Sequence, residues 1–345
     1  MPILEDYDML FTPKKITQRL LVLAVVLALA LPVAVAAPVS AQGGEKWCAG
    51  KTIRFFVGGA EGDAFASIVL RGAQQAEADL GPTVDYIFSG WDPEVMTQQL
   101  REAIAAQPDG IAMMGHPGDE AIMPLAEEAT AAGIKMEYQN VDVPTVRARF
   151  GGGYVGANLV PQGRALGEEA VRQFGLGAGN KAIVFIPLGQ PGRDLRELST
   201  AQALEDAGLT VIKLDSPPPW ASDPNLALPS LTALVLDNPD VKLIVYPGGQ
   251  LLGASPVYME ALGKDPGDIV NIGFDTSPAI MEAFSSGYVQ LTSDQQPFQQ
   301  GYLPILSLCG SLVFGFGPLN VDTGAGFVDT TNYQNVADLA KAGLR

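Results

Sequence analysis

The chain alternates short apolar runs with longer amphipathic ones, and this alternation limits its fold more than any other feature. Residues 52–57 are rich in β-branched and aromatic side chains and predict a strand that ends at Gly58 and Gly59. Residues 63–80 carry apolar side chains at helical spacing and predict a helix that stops before Pro82. The same patterns predict strands at 83–88, 110–114 and 134–138, a helix opening at Asp92, and a helix at 119–132. Such alternation is typical of right-handed crossovers and a parallel sheet.

A second series of the same kind follows a basic, glycine-rich break at residues 147–153. Its predicted elements are helices at 163–174, 193–207, 226–236 and 251–262, and strands at 182–187, 210–214, 241–246 and 269–274. We therefore predict an α/β protein of two doubly wound parallel-sheet lobes, joined by a short hinge because no low-complexity linker separates them. Ligands bind beyond the carboxyl ends of parallel strands, so two facing lobes would form a binding cleft.

The start of the chain has the composition of an export signal. Three basic residues precede an apolar run at 20–37, and the small residues Val39, Ser40 and Ala41 follow it as a cleavage triplet. We predict a cleavable signal peptide over residues 1–41 and a location in the periplasm. The apolar run is long enough to span a bilayer, so an uncleaved anchor is the alternative.

Charge and composition exclude several classes of function. A formal net charge of −17 over 345 residues opposes binding to nucleic acid, so we expect no such partner. One histidine, His116, and two cysteines, Cys48 and Cys309, are too few for a Cys/His zinc site, and a histidine-dependent triad would have to use His116. The sequence also has no phosphate-binding P-loop, no Gly-x-Ser-x-Gly motif and no His-Glu-x-x-His motif. We therefore expect no metal, no cofactor and no enzymatic activity.

The glycines at positions 151, 153 and 156 match the spacing of a dinucleotide-binding loop. That loop should follow an apolar strand, whereas Arg147, Ala148 and Arg149 precede these glycines. We interpret the segment as a glycine-rich turn that enters a strand.

Four segments in order resemble the ribose/galactose-type periplasmic binding proteins. They are residues 58–65 (GGAEGDAF), 103–111 (AIAAQPDGI), 272–278 (IGFDTSP) and 291–302 (LTSDQQPFQQGY). The last segment is the most specific and is similar to the simple-sugar branch of the family. The resemblance covers nearly the whole chain that follows the signal segment.

This resemblance implies the type I periplasmic binding protein fold, in which three chain crossings join two lobes that close by hinge bending. The crossings are expected near residues 139–141, near Gln295 and beyond about Leu319. The expected first lobe is therefore residues 42–140 plus 296–319. The expected second lobe is residues 141–295 plus 320–345.

The resemblance also implies a function, the binding of a small sugar or polyol for an ABC importer, with a membrane permease as partner and a monomeric state. Two alternatives stay open at this stage. One is a ligand sensor coupled to a membrane receptor, and the other is binding of a non-sugar solute such as a nucleoside.

A sugar needs planar polar side chains around its rim and aromatic rings against its C–H faces. The family presents one aromatic residue from each lobe, and the resemblance places Phe65 and Trp220 in these roles. The candidate ligand-binding residues are Asp63, Phe65, Trp91, His116, Asn140, Asp142, Arg193, Arg196, Trp220, Gln250, Asp275 and Gln295. The sequence leaves open which of Arg193 and Arg196 faces the ligand.

Two further features follow from the resemblance. Gly248-Gly249-Gln250 stands where the family often has Asn-Asp. Gln250 is therefore expected to supply the missing amide. Because of this departure from the family, the identity of the sugar stays open. Cys48 and Cys309 are expected in the same lobe, where they can form a disulfide or remain as two buried thiols.

Overall fold

A computed structural model describes residues 46–190, 192–324 and 326–345. The predicted signal peptide lies outside these described residues. Among the described residues, none of the helices combines the length and the apolar composition of a membrane span.

The first lobe is a six-stranded, all-parallel sheet with helices on its faces. Its elements along the chain are β1 Thr52–Gly58, α1 Ala64–Leu80, β2 Thr83–Phe88, α2 Pro93–Ala105, β3 Gly110–Met114, α3 Gly118–Ala131, β4 Lys135–Gln139, α4 Pro144–Phe150 and β5 Gly153–Gly156. Two later elements, α12 Pro297–Phe314 and β11 Asn320–Asp322, return to this lobe. The strand order is β11-β5-β4-β3-β1-β2.

The second lobe is another six-stranded sheet. Its elements are α5 Leu159–Phe174, β6 Lys181–Ile186, α6 Leu195–Asp206, β7 Thr210–Asp215, α7 Pro218–Ser222, α8 Leu228–Asp237, β8 Val241–Val245, α9 Gly249–Gly253, α10 Ser255–Ala261, β9 Val270–Phe274, α11 Pro278–Ser285, β10 Leu291–Ser293, β12 Phe327–Asp329 and α13 Gln334–Lys341. The strand order is β12-β10-β9-β8-β6-β7, and only β12 runs antiparallel to its neighbour. The predicted fold class is confirmed.

The predicted lobe boundaries need correction at the first crossing. We placed it at residues 139–141, but the chain continues through α4 into β5, which pairs with β4 in parallel. A Cβ atom on Gly153 would lie 1.9 Å from the carbonyl oxygen of Leu319, so only glycine lets β5 fit between its neighbours. The chain therefore crosses at about residue 157, and residues 141–156 belong to the first lobe.

The other two crossings lie on either side of the returning helix α12. The second passes between β10 and α12, around Gln295. The third was expected to leave residues 320–345 in the second lobe, but β11 pairs with β5 in the first. That boundary therefore falls a few residues later, between β11 and β12.

Helix α12 packs closely against α1, because a glycine on each helix admits the partner's backbone. A Cβ atom on Gly72 would lie 2.1 Å from the carbonyl oxygen of Phe298, and one on Gly301 would lie 1.9 Å from that of Val69.

Cys48 and Cys309 form a disulfide in this lobe, with their Cα atoms 5.6 Å apart. The bond fastens the residues just before β1 to the far half of α12.

A buried carboxyl group lies inside the first lobe, where β4 and β5 meet α12. The Oε2 atom of Glu137 accepts hydrogen bonds from the amide of Gly153 at 3.2 Å and from the hydroxyl of Ser307 at 2.9 Å. Its Oε1 atom has no partner among the described residues. Burial raises the pKa of Glu137 to about 8, against the opposing effect of these two hydrogen bonds and of Arg147.

We predict that Glu137→Gln stabilises the protein at alkaline pH. Because the pKa of Glu137 is raised from 4.5 to about 8 on folding, its favourable contribution is complete below pH 4.5 and is lost as the pH rises through 8. Glutamine removes this dependence, so the variant should gain on the order of a few kcal/mol at pH 9 and little at pH 5. Urea unfolding at both pH values measures this. The exposed substitution Glu128→Gln is the control, and an equal effect of Glu137→Gln at both pH values would contradict the assignment.

Candidate ligand-binding cleft

The carboxyl ends of the strands in both lobes face a cavity of about 740 Å³, including the part open to solvent. Ten of the twelve predicted residues line it: Asp63, Phe65, Trp91, His116, Asn140, Arg193, Arg196, Gln250, Asp275 and Gln295. Contact of each of these residues with a ligand remains a prediction, but residues chosen from the sequence do lie around one cavity. Among the described residues, no group of three or more His, Cys, Asp or Glu side chains could hold a metal ion.

Three rings of the first lobe form a row along the cavity. The ring centroid of Trp91 lies 5.8 Å from that of Phe65 and 5.4 Å from that of His116. Trp91 has a left-handed backbone with a φ of 62°, an uncommon conformation for a residue other than glycine. It lies between the end of β2 and Asp92, which caps α2, so the turn directs the indole toward the cleft.

Asp63 connects this row to the second lobe. Its carboxylate caps α1 by accepting from the amide of Ala66 at 2.8 Å, and it also accepts from the indole Nε1 of Trp91 at 2.9 Å. Across the cleft, Nε2 of Gln250 donates to the same carboxylate at 3.2 Å. The lobes therefore touch through Asp63 and Gln250, and the expected amide of Gln250 does face the cavity.

Both candidate arginines, Arg193 and Arg196, line the cavity, although the sequence left open which of the two faces the ligand. Arg193 donates to both carboxylate oxygens of Glu197, at 3.0 and 2.7 Å, and Nε of Arg196 donates to Oε1 of Glu197 at 2.9 Å. The guanidinium of Arg196 also lies 3.9 Å from the ring centroid of Phe274. A single carboxylate thus orients two guanidinium groups.

Glu197 was missed by the sequence analysis, although it is completely buried. The available signal was its spacing, because it follows Arg193 by four positions and Arg196 by one on a predicted helix. Burial lowers the pKa of Arg196, against the opposing effect of Glu197. The carboxylate of Glu197 therefore offsets the free-energy cost of removing the guanidinium of Arg196 from water.

The side chains next to the crossings are joined by amide hydrogen bonds. Asp275 accepts from the amide of Gly249 at 2.8 Å and from Nε2 of Gln295. Nδ2 of Asn140 donates to Oε1 of Gln300 at 3.0 Å, and Gln300 donates to the carbonyl of Gln295 at 2.9 Å. Gln300 is a second residue that sequence analysis missed: it lies in the quoted segment 291–302, but its position inside a helix gave no sign that its side chain joins the crossings.

The electrostatics of the cavity follow from burial. Burial, together with the positive charges of Arg193 and Arg196, lowers the pKa of His116 to about 3, so the imidazole is neutral. Its Nδ1 atom has no hydrogen-bond partner among the described residues. Burial also raises the pKa values of Asp63 and Asp275.

Two predicted residues do not line the cavity. Asp142 lies outside because the chain turns into α4 instead of crossing, and its carboxylate pairs with Arg147 at 2.9 Å beside a second groove. Trp220 lies in α7 with its ring 6.2 Å from that of the fully buried Phe185. Its neighbours Pro217, Pro218 and Ala221 line the cavity instead, so the expected aromatic wall of the second lobe is absent from the described lining.

The buried arginine–glutamate group gives a test of this geometry. We predict that Glu197→Gln lowers the free energy of unfolding by about 3–5 kcal/mol, because it leaves two guanidinium groups in the cleft without their shared carboxylate. The matched control is Glu168→Gln, which breaks an exposed pair with Arg164 and should cost less than about 1 kcal/mol. Urea unfolding of both variants measures the difference, and equal effects would mean that Glu197 is not a buried partner.

Several solved structures share this fold. A carbohydrate transporter from Acidothermus cellulolyticus in complex with myo-inositol has a TM-score of 0.74 and 23% identity, covering 86% of this chain and 99% of its own. An ABC transporter solute-binding protein from Agrobacterium vitis with bound D-fucose has a TM-score of 0.75 and 19% identity, covering 85% and 100%. One from Burkholderia graminis in complex with D-arabinose has a TM-score of 0.72 and 20% identity, covering 83% and 97%.

The sequence comparisons agree with the fold. A xylose/arabinose-binding protein from Sulfolobus acidocaldarius is 27% identical over 259 residues, which are 70% of this chain. The match spans 62% of the length of that relative. The periplasmic binding protein domain family matches residues 54–311, which include most strands of both sheets and all the predicted residues of the cavity. The two lobes, the crossings and this match together establish that the chain belongs to the periplasmic binding protein family.

Proposed function

We propose that this chain is the substrate-binding component of an ABC importer and that it captures a small sugar or polyol between its lobes. The observation that carries the proposal is the convergence of aromatic rings, amides, carboxylates and guanidinium groups from both lobes on one cavity beside the crossings. Planar polar side chains suit the hydroxyl rim of a sugar, and rings suit its C–H face. This chemistry serves binding, and the proposal assigns no catalytic step.

The charge of the cavity favours a neutral solute. Glu197 already balances one of the two guanidinium groups, and the carboxyl groups of Asp63 and Asp275 also face the cavity. A ligand with a carboxylate or phosphate would therefore bring further negative charge beside these groups. Hydroxyl groups can accept from the arginines and donate to the carboxyl oxygens, so they satisfy both kinds of partner.

The ligands of the related proteins support the same class. The structures with the same fold were solved with myo-inositol, D-fucose and D-arabinose, and the relative from Sulfolobus acidocaldarius is a xylose/arabinose-binding protein. All of these are small and carry several hydroxyl groups. They therefore define the range of solutes that should be tested first.

The location and the partner belong to the same proposal. The basic residues, apolar run and small residues of positions 1–41 support export through a cleavable signal peptide. The mature protein would then act in the periplasm as a monomer and deliver its ligand to a membrane permease. No nucleic acid partner is proposed, because the chain is strongly acidic.

The proposed mechanism is a shift of population between open and closed forms. The lobes are joined by three adjacent strand connections, so small backbone rotations near Gln295 can open the cleft. A ligand held by Phe65 on one side and Arg196 on the other stabilises the closed form, because it contacts both lobes only there. The hydrogen bond between Asp63 and Gln250 assists closure.

The proposal predicts that the mature protein, residues 42–345, binds at least one small sugar or polyol with a dissociation constant near the micromolar range. Thermal unfolding against pentoses, hexoses, inositols, polyols and nucleosides identifies the ligand, because binding only to the folded state raises the melting temperature. Calorimetry then compares Asp275→Asn with Asp142→Asn, the same chemical change inside and outside the cavity. We expect Asp275→Asn to weaken binding about 10- to 100-fold and Asp142→Asn to change it less than about twofold.

The outcomes separate the proposed functions. A melting shift with a nucleoside alone would replace the sugar assignment, and no shift with any solute would contradict transport of this ligand class. Equal affinities of the two aspartate variants would move the site away from this cavity.

A further inference from the structure

The rings that line the cavity all come from one lobe. Phe65, Trp91 and His116 belong to the first lobe, and they form a continuous row. Among the described residues, the second lobe contributes polar and charged side chains, prolines and small or aliphatic side chains to the lining, but no aromatic ring. The aromatic residue expected there, Trp220, is held away by its contact with Phe185.

The second lobe presents hydrogen-bonding groups where a second ring was expected. Nε of Arg196 donates to Glu197 and its Nη2 donates to the carbonyl of Pro247, while Nη1 makes no hydrogen bond to a described residue. Arg193 likewise donates to Glu197 through Nη1 and to the same carbonyl of Pro247 through Nη2, at 2.9 Å. Both side chains are therefore fixed in direction and keep N–H groups for a ligand.

A ligand between the lobes therefore meets two unlike surfaces. Against the row of rings, a ring-shaped solute does best with a face of C–H groups. Against Arg193 and Arg196 such a face would leave N–H groups without partners in a largely buried cavity, which is unfavourable. The second surface instead favours a hydroxyl group that projects from the face of the ligand.

We propose that the cleft selects a solute ring with two unlike faces, one of C–H groups lying on Phe65 and Trp91 and the other carrying an axial hydroxyl group directed at Arg193 and Arg196. This inference rests on the proposed function, because it requires that the ligand is a cyclic sugar or polyol. Rings whose hydroxyl groups are all equatorial present C–H groups on both faces. Such rings fit the row of aromatic side chains but leave the remaining N–H groups of Arg193 and Arg196 without a partner.

Matched pairs of solutes test this selection, since each pair differs only in the orientation of one hydroxyl group. Scyllo-inositol, D-xylose and D-glucose have no axial ring hydroxyl apart from the anomeric position, whereas myo-inositol, L-arabinose and D-galactose each have one. Calorimetry on the mature protein should show that, in every pair that binds, the member with the axial hydroxyl binds about 10- to 100-fold more tightly. An all-equatorial member that binds equally or more tightly would overturn the inference while leaving the proposed function intact. If no member of any pair binds, the inference is overturned, while the proposed function fails only if no solute of the wider panel binds.

Variants at two positions connect the selection to the named side chains. Arg193→Leu should weaken binding of the axial member and leave the equatorial member nearly unchanged, so that the ratio of the two dissociation constants falls toward one. Trp220→Phe and Trp220→Ala should leave this ratio unchanged, because Trp220 lies outside the lining. Circular dichroism checks that each variant is folded. A ratio that persists in Arg193→Leu, or that changes in both Trp220 variants, would place the discriminating surface elsewhere.

Discussion

The side-chain amide of Gln300 joins the segments where the chain passes between the lobes, and the arrangement of the cleft depends on it. Its Nε2 atom donates to the carbonyl of Gln295 at 2.9 Å and to the hydroxyl of Thr323 at 3.0 Å, and its Oε1 atom accepts from Asn140. The hydroxyl of Tyr154 extends the group, lying 2.9 Å from the carbonyl oxygens of Asn140 and Ala157. A buried amide with both ends satisfied holds its partners together, so the crossings are coupled and act as one unit when the lobes move.

Backbone strain is concentrated around this unit. Of the five described non-glycine residues with positive φ, Trp91, Asn140 and Asp275 line the cavity and Gln296 follows the second crossing. Each such conformation costs about 1 kcal/mol or more and persists only where surrounding contacts impose it. At Asn140 and Asp275 the contacts are the hydrogen bonds to Gln300 and Gln295. The backbone thus accepts unfavourable geometry where side chains must turn into the cleft.

The sequence predicted the features that depend on local pattern. Apolar periodicity located the strands and helices, and the rule that ligands bind at the carboxyl ends of strands located most of the cavity. The errors concern contacts between distant residues. The first crossing was misplaced because the fit of β5 depends on Gly153 meeting Leu319, and Trp220 was misplaced because its direction is set by Phe185. Glu197 was overlooked because its role depends on the tertiary placement of two arginines.

The disulfide between Cys48 and Cys309 has a consequence for the covalent structure of the whole molecule. The two cysteines are 261 positions apart, so the bond closes a ring that contains almost the entire second lobe as an insertion. Of the second lobe, only β12, α13 and the residues around them lie outside this ring, because they follow Cys309 in the chain. A protease that cuts one loop of the second lobe would therefore open the ring without releasing a fragment. In an environment rich in proteases, such a nicked molecule stays in one piece, and its lobes can still meet.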